Sequence, residues 1–153
     1  MPKKSAGILA FRRRPRGIEV FLVHPGGPFW ARKDQHAWSI PKGEFSDEPP
    51  LEAARREFQE ETGQTITGDF VTLPPMRLGG KEIHAFAVES EDPDPSRIRS
   101  NTFEIQWPPG SGRLQQYPEV DRAGWFGLEE ALLKIHKGQQ ALLHQFAARV
   151  AQR

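Results

Sequence analysis

Residues 38–63 read WSIPKGEFSDEPPLEAARREFQEETG, and the last third of that stretch poses the problem. Between Arg56 and Gly63 the chain holds three glutamates, Glu57, Glu60 and Glu61. Pro49 and Pro50 suit a first helical turn, whose amides have no intrahelical partner, and Gly63 suits a left-handed C-cap. Pro50 to Thr62 is therefore predicted to be one helix. At about 100° per residue, Glu60, Glu57 and Glu61 fall at roughly −60°, 0° and +40° on its surface. Ala54, Phe58 and Leu51 fall beside them, near roughly +60° to +120°, as an apolar stripe that can pack on a sheet. The helix can thus seat its oily side and hold a carboxylate cluster at the border of the core. Like charges one turn apart repel by about a few tenths of a kcal/mol per pair. A hard divalent cation among the oxygens would make that crowding useful, because Mg²⁺ and Mn²⁺ favour carboxylate oxygen. The plain alternative is an exposed helix, rich in glutamate because glutamate is a good helix former.

The wider stretch favours the cation. Glu48 lies eight residues before Arg56, and Gly43 lies five before Glu48. Trp38 to Gly63 closely resembles the signature of the Nudix hydrolases: a glycine, five residues, a glutamate, seven residues, then Arg-Glu-bulky-any-Glu-Glu-any-Gly-bulky. The second gap and all of Arg56–Gly63 match. Two positions depart: only four residues separate Gly43 from Glu48, and Gln64 stands where a bulky residue is expected. The resemblance implies an α/β fold, a Nudix-type α/β/α sandwich with a mixed β-sheet flanked by helices, over a single domain spanning residues 1–153. It also implies Mg²⁺- or Mn²⁺-dependent hydrolysis of a diphosphate linkage. Carried over by position, Glu60 and Glu61 would be the main metal ligands and Glu57 a further ligand or the base. Arg56 would orient a carboxylate, Gly43 would let the backbone approach, and the Lys42 carbonyl could bind metal. The Lys42 side chain is a candidate phosphate contact. Glu119, six residues before Trp125, resembles by its spacing the extra metal-reaching glutamate of the diadenosine tetraphosphate hydrolase branch; Glu104 is the second candidate.

The rest of the chain reads as mixed α/β. Ala6–Phe11 and Ile18–His24 are apolar runs rich in β-formers, with a turn expected in RRRPRG between them. Residues 66–73, 82–88 and 101–107 are further expected strands, and 108–118 (PPGSGRLQQYP) is expected to be a long loop. AGWFGLEEALLKI reads as a strand end passing into a helix. Gln139–Val150 reads as an amphipathic helix whose Leu142, Leu143, Phe146 and Val150 would be core or a dimer face. A monomer or a homodimer is expected.

Composition narrows the partners. A formal charge of +1 over 153 residues gives no global pull toward nucleic acid or anionic membrane. No stretch approaches a membrane span of about 20 apolar residues. The absence of cysteine excludes thiolate metal sites and fits a reducing, cytoplasmic location. The expected partner is a small-molecule nucleotide, with no stable nucleic-acid partner. Aromatics near loops that could stack a base are Phe29, Trp30, Trp107 and Tyr117, with Trp30 and Tyr117 preferred; Trp38 is expected to pack beneath the loop. His24 could meet a phosphate or be satisfied by backbone. WSIPKG resembles the start of the signature in the dinucleoside polyphosphate branch, so polyphosphates lead. The alternatives are a non-catalytic nucleotide-sensing module, a nucleotide-sugar hydrolase, or an RNA 5′-end pyrophosphohydrolase using Arg12, Arg13, Arg14 and Arg16.

Overall fold

The computed structural model describes residues 3–151. Two long strands, β1 (Lys3–Arg14) and β2 (Gly17–Pro25), pair antiparallel, and β1 pairs in parallel with β6 (Lys81–Glu89). With β4 (Val71–Thr72) and β9 (Val120–Gly127) they form a mixed sheet in the order β4-β6-β1-β2-β9. The short strands β3 (Lys42–Phe45) and β5 (Met76–Leu78) add to β1 and β6. Helix α1 (Pro50–Thr62) covers one face, and α2 (Leu128–Lys134) and α3 (Gln140–Arg149) cover the other. This is the α/β/α sandwich.

The apolar runs of β1 and β2 are unbroken because these strands are buried on both faces. Ala6, Ile8 and Ala10 of β1 face α1, where they meet Ala54 and Phe58. Leu9 and Phe11, one residue out of phase, face α3 and meet Leu142, Leu143 and Phe146. The apolar stripe of the last helix is therefore core. Val150 joins it.

Three expectations are corrected. The strand expected over 66–73 shrinks to Val71–Thr72, because Gly68, at φ 141°, breaks the extended run while Ile66 plugs the core as irregular chain. Arg12–Arg14 extend β1 instead of turning, held by ion pairs to Glu19, Glu89 and Glu91. The loop expected over 108–118 folds back as strand β8 (Leu114–Pro118), paired antiparallel with β7 (Thr102–Gln106) in a separate two-stranded sheet. No helix among the described residues is long and apolar enough to cross a membrane.

Candidate active site

Helix α1 runs over the residues its punctuation predicts. Pro50 occupies the first turn, and Gly63 closes the end at φ 74°, its amide donating to the Gln59 carbonyl at 2.7 Å. Ala53, Ala54 and Phe58 are buried beneath it. Glu57 sits on the border of that core at 9% exposure, with Glu60 and Glu61 partly buried beside it.

One guanidinium organises three carboxylates. Arg56 Nε donates to both oxygens of Glu48, at 3.0 and 3.2 Å, and Nη2 also reaches Glu48. Its Nη1 donates to Glu57 at 2.8 Å and to Glu60 at 3.1 Å. Charge-assisted, forked bonds of this kind fix orientation as well as adding energy. With the short gap before Glu48, Lys42–Phe45 still form strand β3 against Lys4–Gly7, and the turn after it delivers Glu48 to Arg56.

Gly43 has a steric reason to be glycine. A Cβ there would stand 2.1 Å from Glu57 Oε2, so the carboxylate occupies the space of the missing side chain. Next to it, the Lys42 amide donates to Glu61 Oε1 at 3.2 Å. Lys42 lines a cleft of about 200 Å³ with Glu61, Glu119, Pro25, Ser39 and Val120.

Glu119 reaches this cleft through a chain of backbone bonds. Asn101 N–H donates to the Glu60 carbonyl at 2.8 Å, and Glu119 N–H donates to the Asn101 carbonyl at 2.8 Å. The Glu119 carbonyl in turn accepts from Gly26 at 2.9 Å. The β2–β9 register jumps from His24↔Arg122 to Pro25↔Val120, leaving Asp121 as an extra, bulged residue. That bulge brings Val120 to the α1 side of the sheet and sets Glu119 at its edge.

The electrostatics match the crowding. Burial pushes the Glu61 carboxyl up to about 8, helped by Glu57 and Glu119 and opposed by the Lys42 amide and ammonium. Burial also raises Glu57, with Arg56 opposing and Glu60 and Glu119 adding. Burial and then Glu60 raise Glu119. The Lys42 ammonium is lowered, first by burial and then by Lys81. Glu48 lies below its ordinary range because Arg56 donates to it. Among the described residues no three acidic or imidazole side chains are already drawn together as a metal shell. Glu57 and Glu60 are turned to Arg56 instead. The donor set nevertheless fits a hard divalent cation: oxygen ligands only, partly buried, and more negative than one arginine can balance.

The other sequence candidates do not line the cleft. His24 is fully buried, with Nδ1 at 2.8 Å from Asp121 Oδ1 and Nε2 at 2.6 Å from the Lys33 carbonyl, so it has no nitrogen left for a phosphate. Trp30 packs against the α3-side core with the Lys33 ammonium 5.1 Å from its ring centroid and is not among the residues lining the cleft. Tyr117 lies on the hairpin against Phe103, its hydroxyl donating to Gln115 at 2.9 Å. Trp38 is buried under the loop, as expected. Glu104 is exposed on the hairpin face opposite Phe103. The His24–Asp121 pair escaped sequence reading, since a bulge leaves no periodic trace.

An α/β/α sandwich that sets a helix-borne carboxylate cluster against a glycine strand has the make-up of a phosphoanhydride hydrolase. The NUDIX domain family model matches residues 1–146, and the chain belongs to that family, whose members hydrolyse phosphoric anhydrides and generally use divalent metal ions. Among solved structures it is similar to a C. elegans Ap4A hydrolase in a binary complex, at 24% identity and TM-score 0.66, over 99% of each chain. It is also similar to the NUDIX domain of Shewanella oneidensis NrtR complexed with ADP ribose, at 15% identity and TM-score 0.65, over 98% of this chain and 89% of that one. The E. coli ORF135 protein is similar at 24% identity and TM-score 0.57, over 99% and 94%. At these identities the structural likeness shows the fold. No curated protein matches the sequence.

Proposed function

We propose that this chain is a Mg²⁺- or Mn²⁺-dependent pyrophosphohydrolase that cleaves a diphosphate linkage in a nucleoside polyphosphate, with dinucleoside polyphosphates favoured over nucleoside triphosphates. The observation that carries the reading is the convergence of Glu61, Glu119 and Lys42 on one cleft, beside a Glu57 carboxylate seated on Gly43. Glu60 and Glu61 would hold the cation, with Glu119 and the Lys42 carbonyl as further ligands. When bound, a divalent ion supplies Lewis acidity and lowers the pKa of a coordinated water. Arg56 aims Glu57 and Glu60 through its Nη1 hydrogen bonds. Glu57, raised by burial and held at 2.8 Å by Arg56, is the candidate to take the proton of the attacking water. The Lys42 side chain would offer a cation for substrate phosphate.

Support for the substrate class comes from the Pro-Lys-Gly that opens the signature and from the Ap4A hydrolase among the structural neighbours. The NrtR domain, complexed with ADP ribose, favours a second reading as a nucleotide sensor. A sensor has no use for Glu57 against Gly43, so turnover separates the two. The test is a product-resolved screen of nucleoside di- and triphosphates, nucleotide sugars and dinucleoside polyphosphates with Mg²⁺ and Mn²⁺. Diadenosine tetraphosphate should exceed ATP in kcat/KM. A clear preference for a nucleotide sugar would move the assignment, and binding without turnover would leave the sensor.

Glu119 is the ligand that α1 cannot supply. Glu119→Gln should lower kcat/KM by about tenfold to a thousandfold while leaving the melting temperature nearly unchanged. Glu129→Gln, on α2, should change neither. Wild-type turnover in Glu119→Gln would remove it from the site.

A further inference from the structure

Beside the carboxylate cleft, the Pro25–Trp30 loop packs against the β7–β8 hairpin along a seam that ends in an aromatic pair. At its root, Pro25 and Glu119 line the cleft, and Gly26 N–H bonds the Glu119 carbonyl. Register then places side chains: Phe103 pairs with Tyr117 and Ile105 with Gln115, and Trp107 N–H donates to the Arg113 carbonyl at 2.9 Å. Phe103, Ile105 and Trp107 therefore share one hairpin face. That face lies on the loop, because the Phe103 ring stands 2.8 Å from where a Cβ of Gly27 would be. Farther out, the Trp107 ring meets Phe29 edge-on, centroids 5.0 Å apart at 76°. An edge-on contact leaves ring face uncovered, and Phe29 is 54% exposed. From root to aromatic pair the hairpin runs on the order of 15–20 Å. Arg32 follows Phe29 by three residues and the Arg113 carbonyl accepts the Trp107 amide; among the described residues neither arginine takes part in an ion pair.

We infer that the Phe29–Trp107 pair is a distal subsite for the second nucleoside of a dinucleoside polyphosphate whose phosphates lie at the carboxylate cleft. The inference rests on the polyphosphate reading above. An aromatic face stacks any base, and a nearby arginine suits the phosphate end of the linker. A nucleoside triphosphate anchored at the carboxylates has no second base to place there. The pair would thus select long substrates over short ones.

The test follows the Trp107 indole N–H by NMR in the Glu57→Gln variant with Mg²⁺, the signal being assigned through Trp107→Phe. Diadenosine tetraphosphate should shift that signal, and ATP should leave it in place. In the otherwise wild-type enzyme, Phe29→Ala and Trp107→Ala should each raise KM for diadenosine tetraphosphate about tenfold, leave ATP kinetics unchanged, and be rescued in Trp107→Phe. An indole signal that ignores both ligands, or answers both equally, overturns the subsite. Preferred hydrolysis of diadenosine tetraphosphate with a silent Trp107 would sink the subsite and keep the polyphosphate reading. A Trp107 response to diadenosine tetraphosphate in an enzyme that hydrolyses only ATP would do the reverse.

Discussion

Glu61→Gln is expected to lower metal-dependent turnover on the order of a thousandfold. The glutamine keeps the shape and can still accept the Lys42 amide bond, but it offers a neutral oxygen where a charged ligand is needed. The fold should not suffer. In the metal-free protein, burial pushes the Glu61 carboxyl from an ordinary 4.5 to about 8. A carboxyl raised on folding contributes stability that is fully present below its unfolded pKa and is lost as pH rises through its folded one. The melting temperature of the metal-free wild type should therefore fall between about pH 5 and pH 8.5. Mg²⁺ or Mn²⁺ should restore it most at the alkaline end, where the carboxylate is ionised. Glu61→Gln should flatten that fall and abolish the metal response. A variant that loses activity by unfolding would instead melt lower at every pH.

Glu57→Gln should lower kcat by about a hundredfold to ten-thousandfold with KM little changed, as removal of a general base requires. The structure adds a reason to expect little reorganisation. The Glu57 side chain is enclosed between Gly43 and Arg56, and glutamine fits the same space. Gly43→Ala provides the contrasting case, because its Cβ would displace the carboxylate outright. A Glu57→Gln variant changed only in KM would make Glu57 a substrate contact and leave the proton transfer to another group.

Helix α1 was legible residue by residue, because Pro50, Gly63 and the apolar spacing of Ala54 and Phe58 are local signals. The cores of β1 and β2 were legible as unbroken apolar runs for the same reason. Strand β8 was not. Leu114, Gln115 and Gln116 are all exposed, so no apolar alternation marks them, and only pairing with β7 makes them extended. The charged end of β1 was hidden likewise, since Arg12–Arg14 gain their partners from β2, β6 and the chain just after it. In the site, the α1 carboxylates share one helix and could be gathered on paper. Glu119 could be placed only by its spacing to Trp125, and the backbone relay through Asn101 that brings it to α1 is long-range. Phe29 and Trp107 were visible as loop aromatics, but their meeting depends on the unforeseen hairpin. For His24 the sequence offered a phosphate or a backbone partner; the Lys33 carbonyl supplies the backbone contact, while its second partner, Asp121, sits 97 residues away on a bulge and left no local trace.

The most direct measurement is a calorimetric Mn²⁺ titration of metal-free protein at pH 6 and pH 8.5, comparing wild type with the Glu60→Gln/Glu61→Gln double variant. Wild type should bind more tightly at pH 8.5 and release protons on binding at pH 6, while the double variant should lose the site at both. Unchanged Mn²⁺ affinity in the double variant would contradict a metal centre built on α1.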